Sequence, residues 1–178
     1  MAGRSNYPVS WAKDFERSGA LSTVTSVMTT PILIFVATFA LMFYILGATF
    51  MEGFVNYRTW RLIGAAEFPA FHRSVGRKVV PFVALPVIFS LLTNVVLLRY
   101  RPGGIPTWCL LCTLMLTLFA MGISIAFQIP IQLDLDRKGL SQPRISRLIS
   151  VEWLRAAAHI ANAALFLWMM TVYMKGAR

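Results

Sequence analysis

The side chains in this sequence that could do chemistry are few, and they sit at helical spacing beside long apolar runs. Glu52 and Asn56 stand four apart at the end of one run, and Gln128 and Gln132 stand four apart at the end of another. Glu152, Arg155, His159 and Asn162 fall at offsets of 0, 3, 7 and 10, which is one face of an α-helix. His72 precedes a further apolar run. If these groups converge, they form a polar pocket closed by Tyr57, Trp60 and Trp153. Arg155 would meet a carboxylate or phosphate there. His72 or His159 would move a proton near neutral pH, with Glu52 and Glu152 as further acid–base candidates. The competing reading is structural. Glu152 and Arg155 pair at i, i+3, the glutamines tie helices together, and His159 bonds a neighbouring helix. These residues lie near the ends of apolar runs, where polar groups are tolerated, and that favours the structural reading.

Redox and metal chemistry have weaker footing. Two histidines could take both axial positions of a haem iron, but there is no Cys-x-x-Cys-His attachment motif and His72 lies outside its apolar run, so haem is disfavoured. The repeated Glu-x-x-His of di-iron bundles is missing as well. Cys109 and Cys112 form a Cys-x-x-Cys at the start of an apolar run, a spacing suited to disulfide exchange. A quinone-linked four-helix disulfide generator would need a second cysteine pair, and the chain has only these 2 cysteines. Two small apolar side chains on one face of a buried helix is the better reading. Two thiols without a nearby histidine make a poor zinc site.

The elements that must position these residues follow from composition. The chain has 178 residues, 57% hydrophobic and 13% charged, against the roughly 25% charged fraction of soluble domains. That excludes an ordinary soluble domain, a disordered chain and a large multidomain enzyme. Four apolar runs are each long enough to cross a hydrocarbon core of roughly 30 Å as a helix. The predicted spans are about 30–52, 79–98, 107–131 and 154–174, joined by long basic loops 53–78 and 132–153 in a single transmembrane domain. Pro31 suits a first helical turn. The runs are far too long for the alternating strands of an outer-membrane barrel. The expected fold class is therefore all-α, an integral membrane four-helix bundle.

The formal net charge of +10 is distributed as a topology signal, and with no basic stripe interleaved with exposed aromatics it argues against nucleic-acid binding. Seven cations fall on the side of the termini and ten on the side of the long loops. That split puts the long loops in the cytoplasm and both termini outside. The leader before the first span is polar and charged, so the span is expected to be retained. Within the leader Ser10 is placed to cap a short turn whose Trp11 and Phe15 share a face, which reads either as a surface-lying interfacial segment or as a disordered tail. Residues 54–63 mix aromatics with cations, as an interfacial helix continuing the first span would, and the stretch from Pro69 leads helically into the second. Kinks are expected at Pro86 and near Pro130. Ala157, Ala161 and Ala164 give the fourth span a small-residue stripe that permits close helix approach.

The stretches 53–73 (GFVNYRTWRLIGAAEFPAFHR), 128–135 (QIPIQLDL) and 147–159 (RLISVEWLRAAAH) resemble a family of uncharacterised small four-helix bacterial membrane proteins. The resemblance covers roughly residues 50–160. It implies Tyr57, Trp60, His72, Arg73, Trp153 and Arg155 as candidate site positions and brings no established activity. That family's pattern has histidine where Gln132 stands and asparagine where Glu152 stands, so chemistry relying on that histidine would be absent here.

The leading functional expectation is an accessory or binding subunit that packs against a larger membrane complex, with the lipid bilayer and either partner subunits or further copies of the chain around it. A small membrane enzyme acting on a lipophilic molecule or pigment is the alternative, with proton handling by His72 or His159. A transporter component comes third, because no inverted repeat is visible.

Overall fold

The computed structural model describes residues 30–176, so the interfacial leader segment around Ser10 lies outside the described residues. Four helices fill this range: α1 Thr30–Leu62, α2 Phe68–Arg99, α3 Thr107–Lys138 and α4 Gln142–Gly176. There is no strand among the described residues. Each helix is long and apolar enough to cross a membrane. They pack up and down in a ring, α1 on α2, α2 on α3, α3 on α4 and α4 back on α1. The chain is an all-α four-helix bundle of the integral membrane type.

The basic stretches 53–78 and 132–153 are helical over most of their length, and the turns between helices shrink to residues 63–67 and 139–141. The second turn depends on Gly139, whose φ of 77° is open to glycine and strained for any side chain, and whose amide donates to the Leu135 carbonyl at 3.0 Å. α4 then restarts with Pro143 in its first turn, where a missing amide leaves no bond unmade. Side chains clamp the same corner: Arg61 donates to Ser146 Oγ at 2.7 Å, so the end of α1 is held to the start of α4.

Three of the four helices widen into i→i+5 turns, at Met51–Asn56, Val80–Ala84 and Ser124–Gln128. Two of these lie just before Pro86 and Pro130, the positions where kinks are expected from the sequence. Pro86 leaves the Phe82 carbonyl without an α-helical donor, and Tyr44 of α1 supplies one at 2.8 Å. The turn at Met51–Asn56 contains no proline. It shifts the inward face of α1, which runs through Phe35, Met42, Ile45 and Thr49, onto Glu52, Gly53, Tyr57 and Trp60.

The interior is two apolar clusters separated by polar groups. One, toward the termini, gathers Phe35, Met42, Leu97, Cys109, Phe166 and Met169. The other, toward the basic end, gathers Tyr57, Trp60, Phe68, Ile131, Leu135 and Leu148. The small-residue stripe faces the other way from the core: Ala157, Ala161 and Ala164 are exposed, while Ala156, Ala158 and Ala163 are the alanines buried against neighbouring helices. The inward face of α4 is set instead by Glu152, Arg155, His159 and Asn162, whose burial rotates the stripe outward.

Candidate functional site

Glu52, Gln128, Glu152 and Arg155 come from three helices and are all buried at one level of the bundle. The Glu152 carboxylate is the hub. Arg155, one turn further along α4, donates from Nη2 at 2.6 Å and from Nε at 3.2 Å to Oε1. Gln128 of α3 donates to Oε2. On the α1 side, the backbone of Gly53 lies so close that a Cβ there would stand 2.8 Å from Glu152 Cγ. A glycine at this position is what lets α1 approach the ion pair. Glu52 accepts from Asn56 Nδ2 at 3.0 Å. Gln132, one turn from Gln128, reaches Tyr57 Oη at 3.4 Å.

A second polar layer, nearer the termini, carries no charge. Asn162 Nδ2 donates to Thr117 Oγ1 at 2.9 Å and to the Thr113 carbonyl at 3.2 Å. Thr113 donates to Asn94 Oδ1 at 2.9 Å, and Asn94 in turn donates to the Ser90 carbonyl at 2.8 Å. This network links α2, α3 and α4. Asn162 thus belongs to a different site from Glu152, although the two share a helical face. His159 is buried between the layers, and its Nδ1 has no hydrogen-bond partner among the described residues.

His72 sits at the opposite, basic end. Its Nδ1 meets Asp136 Oδ1 at 2.6 Å, while its ring stacks on Phe68 at 5.3 Å and stands edge-on to Trp60 at 4.8 Å. Its buried Nε2 has no partner among the described residues. Asp134, two residues before Asp136, pairs with Arg144 at 3.3 Å, and His159 stands fifteen residues further along α4. That separation is about 22 Å along a helix axis. The two histidines therefore stand at different levels of the bundle.

Two candidates of the pocket lie elsewhere. Trp153 is half exposed and packs edge-on against Phe54 at 5.0 Å on the outer surface, so it does not close the cluster. Arg73 is exposed and bonds the carbonyl of Pro69 in its own helix at 3.1 Å. The cysteines divide: Cys109 is buried in the apolar cluster, and Cys112, one turn on, faces outward, both as free thiols. A shared buried face for the pair is therefore not what the structure shows. No group of three or more His, Cys, Asp or Glu side chains converges as a metal site among the described residues.

Asp136, Gly53 and the threonines escaped the sequence reading. Asp136 had a signal, since it extends the Gln128 and Gln132 spacing by another four residues. Thr113 and Thr117 had none, because single threonines in an apolar run also bond their own helix backbone, as Thr117 does to the Thr113 carbonyl at 2.8 Å.

The space beside this cluster is small. The crevice beside Glu152, between Thr49, Gly53, Trp153 and Ala156, has a volume of about 10 Å³, scarcely enough for one water. Comparison with family models, curated proteins and solved structures finds no match to this chain.

Proposed function

We propose that the chain is a non-catalytic membrane subunit that acts through its outer surface, packing against a larger membrane complex. The observation that carries this reading is the interior itself. The Glu152 carboxylate is occupied by Arg155 and Gln128, and the crevice beside it is too small for an organic substrate, which ordinarily needs roughly 300 Å³ or more. The outer face of α4, by contrast, presents the exposed stripe Ala157, Ala161 and Ala164 flanked by exposed Trp153, Ile160 and Trp168. Small residues let another helix approach closely, and the aromatics give it area to cover. The ten-to-seven cation split assigns the basic end to the cytoplasm and the termini to the far side of the membrane.

Extraction of the untagged chain in a native lipid disc, followed by native mass measurement, tests the reading. The expected result is a stoichiometric assembly that Ala161→Trp disrupts without loss of helicity. A lone chain, or an assembly indifferent to Ala161→Trp, contradicts it. The second reading, an enzyme acting on a lipophilic molecule, has one observation on its side: the unpartnered, buried ring nitrogens of His72 and His159. Its test is a small molecule that co-purifies with the chain and is lost in His159→Leu.

A further inference from the structure

Outside the helix-packing interior, a concavity lies on the flank of the bundle between the basic end of α3 and the start of α4. It is an open groove of about 430 Å³. Its walls change character along its length. Phe127, Pro130 and Leu133 of α3 are exposed at one end. Arg137 of α3 and Arg144 and Arg147 of α4 stand at the other. From Phe127 to Arg137 is about 15 Å of helix. The wide turn at Ser124–Gln128 and Pro130 interrupt α3 where the apolar wall begins.

The groove is positive beyond what its own acid neutralises. Asp134 is the acidic side chain in its lining, and it is engaged by Lys138 at 3.1 Å and by Arg144 Nε at 3.3 Å. Arg137 and Arg147 are exposed and make no ion pair among the described residues. Two unpaired guanidinium groups at the mouth of a groove with an apolar wall fit an amphiphile whose head is an anion and whose tail is hydrocarbon. A free anion would use the arginines alone and leave Phe127 and Leu133 uncovered. Guanidinium pairs bind phosphate through two parallel N–H···O bonds, which a zwitterionic headgroup satisfies less well because its own cation competes.

We infer that the α3–α4 groove binds an anionic phospholipid, with the headgroup phosphate on Arg137 and Arg147 and an acyl chain along Phe127, Pro130 and Leu133. The direction of the groove agrees with the bilayer: its apolar end continues the uncharged run of α3 and its basic end lies among the cations beyond it. The inference is independent of whether the chain is a subunit or an enzyme.

The test uses the full chain in detergent, with phosphatidylglycerol or phosphatidylcholine titrated in and bound lipid counted by native mass spectrometry. Retention of phosphatidylglycerol over phosphatidylcholine is expected, with R137Q/R147Q binding about thirtyfold more weakly. The R77Q/K78Q variant removes the same charge from exposed positions at the same end of the bundle, outside the groove, and is expected to bind as the unmodified chain does. Circular dichroism confirms that each variant is folded. Equal loss in both double variants would mean diffuse surface attraction and would overturn the site. Competition by inorganic phosphate at concentrations comparable to the lipid would overturn it too, by showing that the arginines hold a free anion and the apolar wall contributes nothing.

Discussion

The neutral layer around Asn162 and the charged layer around Glu152 both tie helices across the bundle, yet they distribute their contributions differently. In the neutral layer Asn94, Thr113, Thr117 and Asn162 pass bonds from one helix to the next, and several also bond backbone carbonyls. Removing one member leaves the others with a partner. Interhelical bonds of this kind in membranes contribute about 0.6 kcal/mol each on average. In the charged layer the bonds from Arg155 and Gln128 meet at the Glu152 carboxylate, whose neutralisation comes from Arg155, while Glu52 beside it is held by Asn56. Removing the guanidinium leaves a buried charge without its counterion, which destabilises by roughly 3–5 kcal/mol. A network of neutral groups spreads its contribution, whereas a buried ion pair concentrates it in each partner.

Substitutions ranked by size sharpen this contrast. Arg155→Met is expected to cause the largest loss, roughly 3–5 kcal/mol of unfolding free energy in detergent, and Glu152→Gln added to it should recover most of that loss, because a neutral pair has no unmatched charge. If the double variant is as unstable as the single, the layer is not organised by charge. Gly53→Ala comes next. A Cβ at 2.8 Å from Glu152 Cγ forces α1 and α4 apart or drives Glu152 off its partners, an overpacking loss of about 1–3 kcal/mol. A thermal melt of this variant at or above that of the unmodified chain would show that the close approach is not needed. Asn162→Leu should lose only about 1 kcal/mol by the same assay, with Thr113 and Asn94 still bonded to each other. Cys112→Ser, on the outward face, should change stability by no more than about 0.5 kcal/mol.

The two layers also differ in how visible they are in sequence. Charge inside an apolar context is rare enough to be noticed, so Glu152, Arg155 and Gln128 are identifiable from spacing alone, and they do meet. Their partner Gly53 is not identifiable, since a glycine announces close approach only once the opposing side chain is known. The wide turn at Met51–Asn56 hides the rest of that face. Strict 3.6-residue spacing from Thr49 continues to Asn56, whereas the structure turns Tyr57 inward and leaves Asn56 half-buried. The neutral layer is invisible for a chemical reason: Thr113 and Thr117 look like ordinary members of an apolar helix until the helix rotation is fixed. Rotation also explains the alanines. Spacing found the stripe Ala157, Ala161 and Ala164, but only the burial of Glu152, Arg155 and His159 says that this stripe faces away from the core. His72 and His159 lie at separate levels because antiparallel helices convert a difference in residue number into distance along the bundle axis.

In the proposed role the charged interior is a structural tie and the outer surface carries the function. Native mass measurement of the E152Q/R155M variant, extracted in lipid discs from its own membrane, tests this most directly. A folded chain in the same assembly as the unmodified protein is expected. A folded variant that has lost its assembly, or has lost a bound small molecule that the unmodified protein retains, would contradict it and return the Glu152 cluster to the role of a working site.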